Sequence, residues 1–110
     1  MSTKKITKYY RRPTKIKILN QTYKIEWVAS SDNHGACDPD KCIIQLTKGY
    51  PSKVIATTLL HELIHAINFA MGVTDSTSEE ETTQRLETGL STVWGDNPKL
   101  FEWFHKQFTR

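Results

Sequence analysis

The sequence predicts an α+β fold: a small antiparallel sheet followed by an active-site helix, a glutamate-bearing helix and a C-terminal helix. Three observations carry this. Apolar residues recur every second position only between residues 15 and 46, the period of a half-buried strand. From Pro51 onward the spacing turns helical, punctuated by Gly72, Gly95 and Asn97-Pro98. The chain has 110 residues, 37% of them hydrophobic, which suits one domain with one core. The expected division is a basic arm over residues 1–15 and a single domain over 16–110.

The strands come first. In "KIKILNQTYKIEWV", Ile16 and Ile18, then Tyr23, Ile25 and Trp27, keep a two-residue period around an Asn20-Gln21 turn. "SSDNHGACDPDK" reads as loop and turn, given Gly35 and Asp38-Pro39-Asp40. "CIIQL", residues 42–46, is short and β-branched, and reads as a further strand. The first helix is expected from Pro51-Ser52, with Ser52 as N-cap, to Gly72, which readily takes the left-handed C-terminal position. A second begins at Ser78, where Ser78-x-x-Glu81 has the form of a capping box, and ends at Gly95. Pro98 opens a third, its missing N–H harmless in the first turn, with an apolar stripe of Leu100, Phe101, Phe104 and Phe108, joined by Trp103.

Charge is uneven. The net charge is +3, yet residues 1–17 hold seven basic residues and no acid. A solvated arm is the preferred reading; a nucleic-acid contact through phosphate neutralisation is the second. No apolar run is long enough to span a membrane, and none follows the basic start as in a secretory signal, so a cytoplasmic protein is expected. Cys37 and Cys42 match no common zinc spacing. Two free thiols are expected, the alternatives being a hairpin disulfide and a thiol that ligates a metal in a latent form.

The chemistry sits in "LLHELIHAI". At about 100° per residue, with His61 at zero, His65 lies near 40°, Thr58 near 60°, Glu62 near 100° and Asn68 near −20°. Leu59, Leu63, Ala66 and Ile67 fall in the opposite, apolar arc. Both imidazoles therefore face away from the core. Two histidines one turn apart can direct a nitrogen each at one ion, and zinc suits imidazole and carboxylate donors. Glu62 projects beside that position as a general base.

Two histidines leave zinc one protein donor short. Asp75, Glu79, Glu80, Glu81, Glu87 and His105 follow downstream. With Leu86, Leu90 and Val93 marking the inner side of the second helix, Glu79 is expected to point into the core and Glu80 to its flank. Glu81 lies on the far side and serves the capping box. Glu80 is the chosen ligand, although acids in a first turn also stabilise the helix dipole.

"LLHELIHAI", the acidic "EEETTQRLETGL" and then "DNP" resemble the compact gluzincin metallopeptidases. The likeness is to the short zincin-type proteins of phages and mobile elements, related to the ImmA/IrrE-type peptidases, and it covers about residues 16 to 105. The resemblance implies zinc held by His61, His65 and, by spacing to Leu86, Glu80, with Glu62 as catalytic base. It implies a cytoplasmic, phage- or prophage-related metallopeptidase acting on a protein or peptide. It also implies a strand before the active-site helix that pairs with extended substrate, the place of "CIIQL". His34, Tyr50, Asn68 and His105 are the candidates to steady an oxyanion, each weighed against a surface or packing role. Asn68 has a further reading, orienting a metal ligand. Two alternatives stand beside the peptidase: a nucleic-acid-associated regulatory protein working through the basic arm, and a purely structural zinc site.

Overall fold

The computed structural model describes residues 12–110. Four strands, β1 (Lys15–Ile18), β2 (Gln21–Val28), β3 (Gly35–Asp38) and β4 (Ile43–Thr47), precede three helices, α1 (Ser52–Ala70), α2 (Glu79–Asp96) and α3 (Pro98–Phe108). The fold is α+β, as the two periodicities predicted. The basic arm falls largely outside the described residues. Its last part does not hang free: Trp27 Nε1 donates to Pro13 O at 2.9 Å, Ile25 N to Thr14 O at 2.8 Å, and Arg12 lies 4.8 Å above the Trp27 ring.

Two features of the sheet depart from expectation. It is mixed, in the order β1-β2-β4-β3: β1 and β3 run antiparallel to their neighbours, while β2 and β4 are parallel. A two-residue period fixes which face is buried, not which way a strand runs, so pattern alone could not exclude this. The second departure is β3 itself, which occupies part of the stretch expected to be loop. It forms a hairpin with β4 across a turn in which Lys41 N donates to Asp38 Oδ1 at 3.2 Å. The β1–β2 turn also shifts by one: Ile18 pairs with Gln21, leaving Leu19-Asn20 as the loop, with Leu19 at φ 58°.

Ile16, Ile18, Tyr23, Ile25, Ile44 and Leu46 alternate onto one buried face. Against it lies α1, whose Leu59, Leu63 and Ile67 are fully buried, each contributing about 1.5–3 kcal/mol. Pro51, not Ser52, is the N-cap of α1; Ser52 Oγ accepts from Arg110 Nη1 at 3.2 Å instead. Gly72 takes φ +73° just past the helix end, as its lack of a Cβ allows. On α2, Ser78 caps as expected, accepting from Glu81 N at 3.1 Å and donating to Glu81 Oε1 at 3.0 Å. The buried residues of α3 are Leu100, Trp103, Phe104 and Gln107. Phe108 is exposed and half-buried Phe101 stacks on exposed Trp94. Leu100, Trp103 and Phe104 of the expected stripe thus face inward, while Phe101 and Phe108 lie toward its outer margin.

The two sheet edges differ. Beside β1, Asn97 donates from Nδ2 to Lys17 O at 2.7 Å and accepts at Oδ1 from Lys17 N at 2.9 Å. One side chain thereby does the work of a neighbouring strand. At the other edge, among the described residues, nothing pairs with β3 on its outer side.

Candidate metal centre

His61 and His65 are exposed on α1 while Glu62 between them is buried, 8% exposed. The helical wheel explains the split: both histidines turn outward, and Glu62 rolls toward the joint between α1 and β3. The imidazoles converge, with His61 Nε2 and His65 Nε2 3.1 Å apart and ring planes at 78°. With two nitrogens each about 2.0–2.1 Å from one zinc, that separation subtends about 100°, close to the tetrahedral angle. Without metal, the same spacing is that of a hydrogen bond between the two rings. The carboxylate of Glu62 has no hydrogen-bond or ion-pair partner among the described residues, so its acceptor capacity is free. It does face Cys37: burial first, then the charge of Glu62, pushes the Cys37 thiol up to about 11. Cys37 and Cys42 are free thiols, with no bridge between them.

Beside these groups runs a cleft of about 520 Å³, lined by Asn33, His34 and Gly35 on one wall and by Lys53, Val54, Thr57, Thr58, His61 and Glu62 of α1 on the other. Its width is set at Gly35. A Cβ there would stand 2.7 Å from Thr58 Cγ2 and 3.0 Å from Gln45 O, so only glycine lets the strand come this close. The strand on the cleft is β3, not Cys42–Leu46: β4 is paired on both sides, by β2 and β3. The part expected of "CIIQL" as an open edge therefore passes to the segment read as loop. Thr47 N donates to His34 O at 2.9 Å, and antiparallel alternation then turns the backbone groups of Gly35 and Cys37 outward. A glycine and small residues leading into an Asp-Pro turn were the available signal for this strand; they also fit a loop.

The structure does not bring Glu80 to the histidines. Antiparallel to α1, α2 packs with Gly89 against Ile67 and Met71, while Arg85 Nη1 donates to Gly72 O at 2.8 Å. Glu80 stands nine residues before Gly89, roughly 13 Å along the axis and about 180° around it. The first turn of α2 thus overhangs the end of α1. Glu79, expected in the core, is exposed for the same reason, as are Glu80 and Glu81. Glu80 Oε1 accepts from Gln84 Nε2 at 3.3 Å, and Glu81 pairs with Arg85 at 3.6 Å. Among the described residues no three His, Cys, Asp or Glu side chains are gathered about one point that could hold a metal.

Other sequence candidates are placed as follows. His34 lines the cleft, its ring 4.1 Å from that of Tyr50. Asn68, a turn beyond His65, has a buried Oδ1 with no hydrogen-bond partner. An orphaned acceptor one helical turn from His65 fits a site in which a ring N–H is to be oriented. His105 lies on α3 in a separate groove with Trp94 and Phe101.

Compared with known proteins, the chain matches no family model, no curated protein and no solved structure. Among the described residues no helix is long and apolar enough to cross a membrane.

Proposed function

We propose that this protein is a zinc-dependent peptidase. The observation that carries the reading is the convergence of His61 and His65 Nε2 at 3.1 Å, at one end of a cleft lined by His61 and the unpaired Glu62 and bordered by an open strand edge. His61 and His65 would hold the ion. Bound there, zinc supplies Lewis acidity, which acidifies water and polarises a carbonyl. Glu62 accepts the proton of the attacking water and passes it to the leaving amine. The outward backbone groups of Gly35 and Cys37 hold an extended peptide as an added strand. Glu80 remains the proposed third donor, and its engagement requires the first turn of α2 to move toward the histidines.

The test is hydrolysis of fluorescein-labelled casein by the zinc-supplemented protein beside Glu62→Gln. Loss of a general base lowers the rate by about 10²–10⁴-fold while zinc uptake persists. Equal rates at equal zinc content would end the peptidase reading. Zinc analysis of Glu79→Ala, Glu80→Ala and Glu81→Ala identifies the third donor as the one whose removal weakens binding.

A further inference from the structure

The cleft is chemically lopsided. Gly35 packs against Thr58, and the His34 ring lies 4.1 Å from that of Tyr50 just before α1, so β3 and α1 cross the cleft in the same direction. His61 and Glu62 then occupy one end, and Asn33, His34 and Lys53 the other, toward the start of α1. Glu62 is the only acid among the lining residues. Among the lining residues, the far end presents an amide, an imidazole and an ammonium group and no acid, Asp32 being the nearest in the chain.

His34 is held there rather than loosely displayed. Thr47, 5% exposed, donates its N–H to His34 O at 2.9 Å and its hydroxyl to Asn33 O at 2.7 Å. One buried residue thus pins the backbone of both residues that form this end of the wall, His34 through the Thr47 N–H and Asn33 through the Thr47 hydroxyl. Tyr50, from the turn between β4 and α1, packs against the imidazole with ring centres 4.1 Å apart and planes tilted by 45°, which limits its swing. Lys53 is exposed on the opposite wall.

We propose that His34 and Lys53 form an anion-receptive subsite for a carboxylate of the bound peptide, carried by an acidic side chain or by the chain's C-terminus. The proposal rests on the peptidase reading for the ligand being a peptide. It makes the preferred substrate one with a carboxylate placed toward the start of α1 from the bond that is cut.

The test is a ¹⁵N-edited NMR titration of the metal-free, full-length protein with four probes: Ac-Ala-Ala-Glu-NH2, Ac-Ala-Ala-Gln-NH2, Ac-Ala-Ala-Ala-OH and Ac-Ala-Ala-Ala-NH2. At least one carboxylate probe is expected to shift the amides of Asn33, His34, Gly35 and Lys53, and to bind about fivefold tighter than its amide counterpart, the scale of a solvent-exposed ion pair. Which one does so identifies the source of the carboxylate. Lys53→Glu, at an exposed position, abolishes the preference without threatening the fold, and His34→Gln weakens it. Equal binding of acid and amide probes, no binding of either, or a preference that survives Lys53→Glu overturns the subsite. Because the titration needs neither metal nor Glu62, the Glu62→Gln assay can fail while this result stands, and the reverse.

Discussion

The sharpest consequence of the histidine geometry is thermal. If His61 and His65 grip one ion, zinc binds the folded chain and not the unfolded one, where the two rings no longer converge. Their nitrogens already stand 3.1 Å apart, within a few tenths of an ångström of the separation a tetrahedral zinc imposes at bond lengths of about 2.0–2.1 Å. The two histidines themselves therefore need little reorganisation to share the ion. Free zinc at a hundredfold excess over the dissociation constant adds about 2.7 kcal/mol to stability. For a domain of this size each kcal/mol raises Tm by about 4–8 °C, so the expected shift is about 10–20 °C. The assay is differential scanning fluorimetry at neutral pH over rising zinc, with magnesium as control. His61→Ala combined with His65→Ala abolishes the shift; both residues are exposed, so the unliganded Tm stays close to that of the parent. Glu62→Gln keeps it. No shift in the parent at millimolar zinc, or the same shift in the double variant, refutes the shared-ion geometry.

Other expectations follow from the packing. Gly89→Ala places a Cβ 2.5 Å from Ile67 Cγ2, and since Ile67 is fully buried the helices must part; urea denaturation is expected to show a loss of about 1–3 kcal/mol. Asn97→Ala removes the two hydrogen bonds to Lys17 and one to Val93 O at 2.9 Å, about 2–3 kcal/mol by the same measurement. Alkaline pH destabilises through two groups that burial raises: Tyr23 to about 12 and Cys37 to about 11. Both keep their protons in the fold after the unfolded chain has released them, from ordinary values of 10.0 and 9.0. Their contribution is complete below about pH 9 and is lost as pH rises to about 12. Tyr23→Phe should flatten the upper part of that decline in urea midpoints measured at successive pH values.

Much of this molecule could be read from its residues because burial and helical geometry are local facts. His61, Glu62 and His65 lie where a 100° step puts them, and Ser78 caps α2 as its spacing to Glu81 predicts, with the Glu81 carboxylate on the Ser78 hydroxyl. What escaped reading depends on distant partners. That β4 lies between β2 and β3, leaving the small, polar Gly35–Asp38 segment as the open edge, is decided by how three strands share one sheet. The reach of Glu80 escaped for a related reason. Its position around α2 was considered, but its position along α2 follows from where α2 crosses α1, and Gly89 sets that crossing.

Gly35 and Gly89 do comparable work on the two neighbours of α1. One lets β3 approach Thr58, the other lets α2 approach Ile67. The first contact defines the cleft, and the second fixes how far the acidic turn of α2 stands from the histidines. Gly35→Ala is therefore expected to act on the cleft: the strand must move off Thr58, carrying His34 with it, and acid and amide peptides then bind alike. Gly89→Ala acts on the α1–α2 packing alone, because helices that part carry Glu80 no nearer to the histidines. If zinc affinity falls in Glu80→Ala, the third donor is recruited by motion of α2. If affinity is unchanged, the two histidines bind without Glu80, and its assignment as ligand is withdrawn.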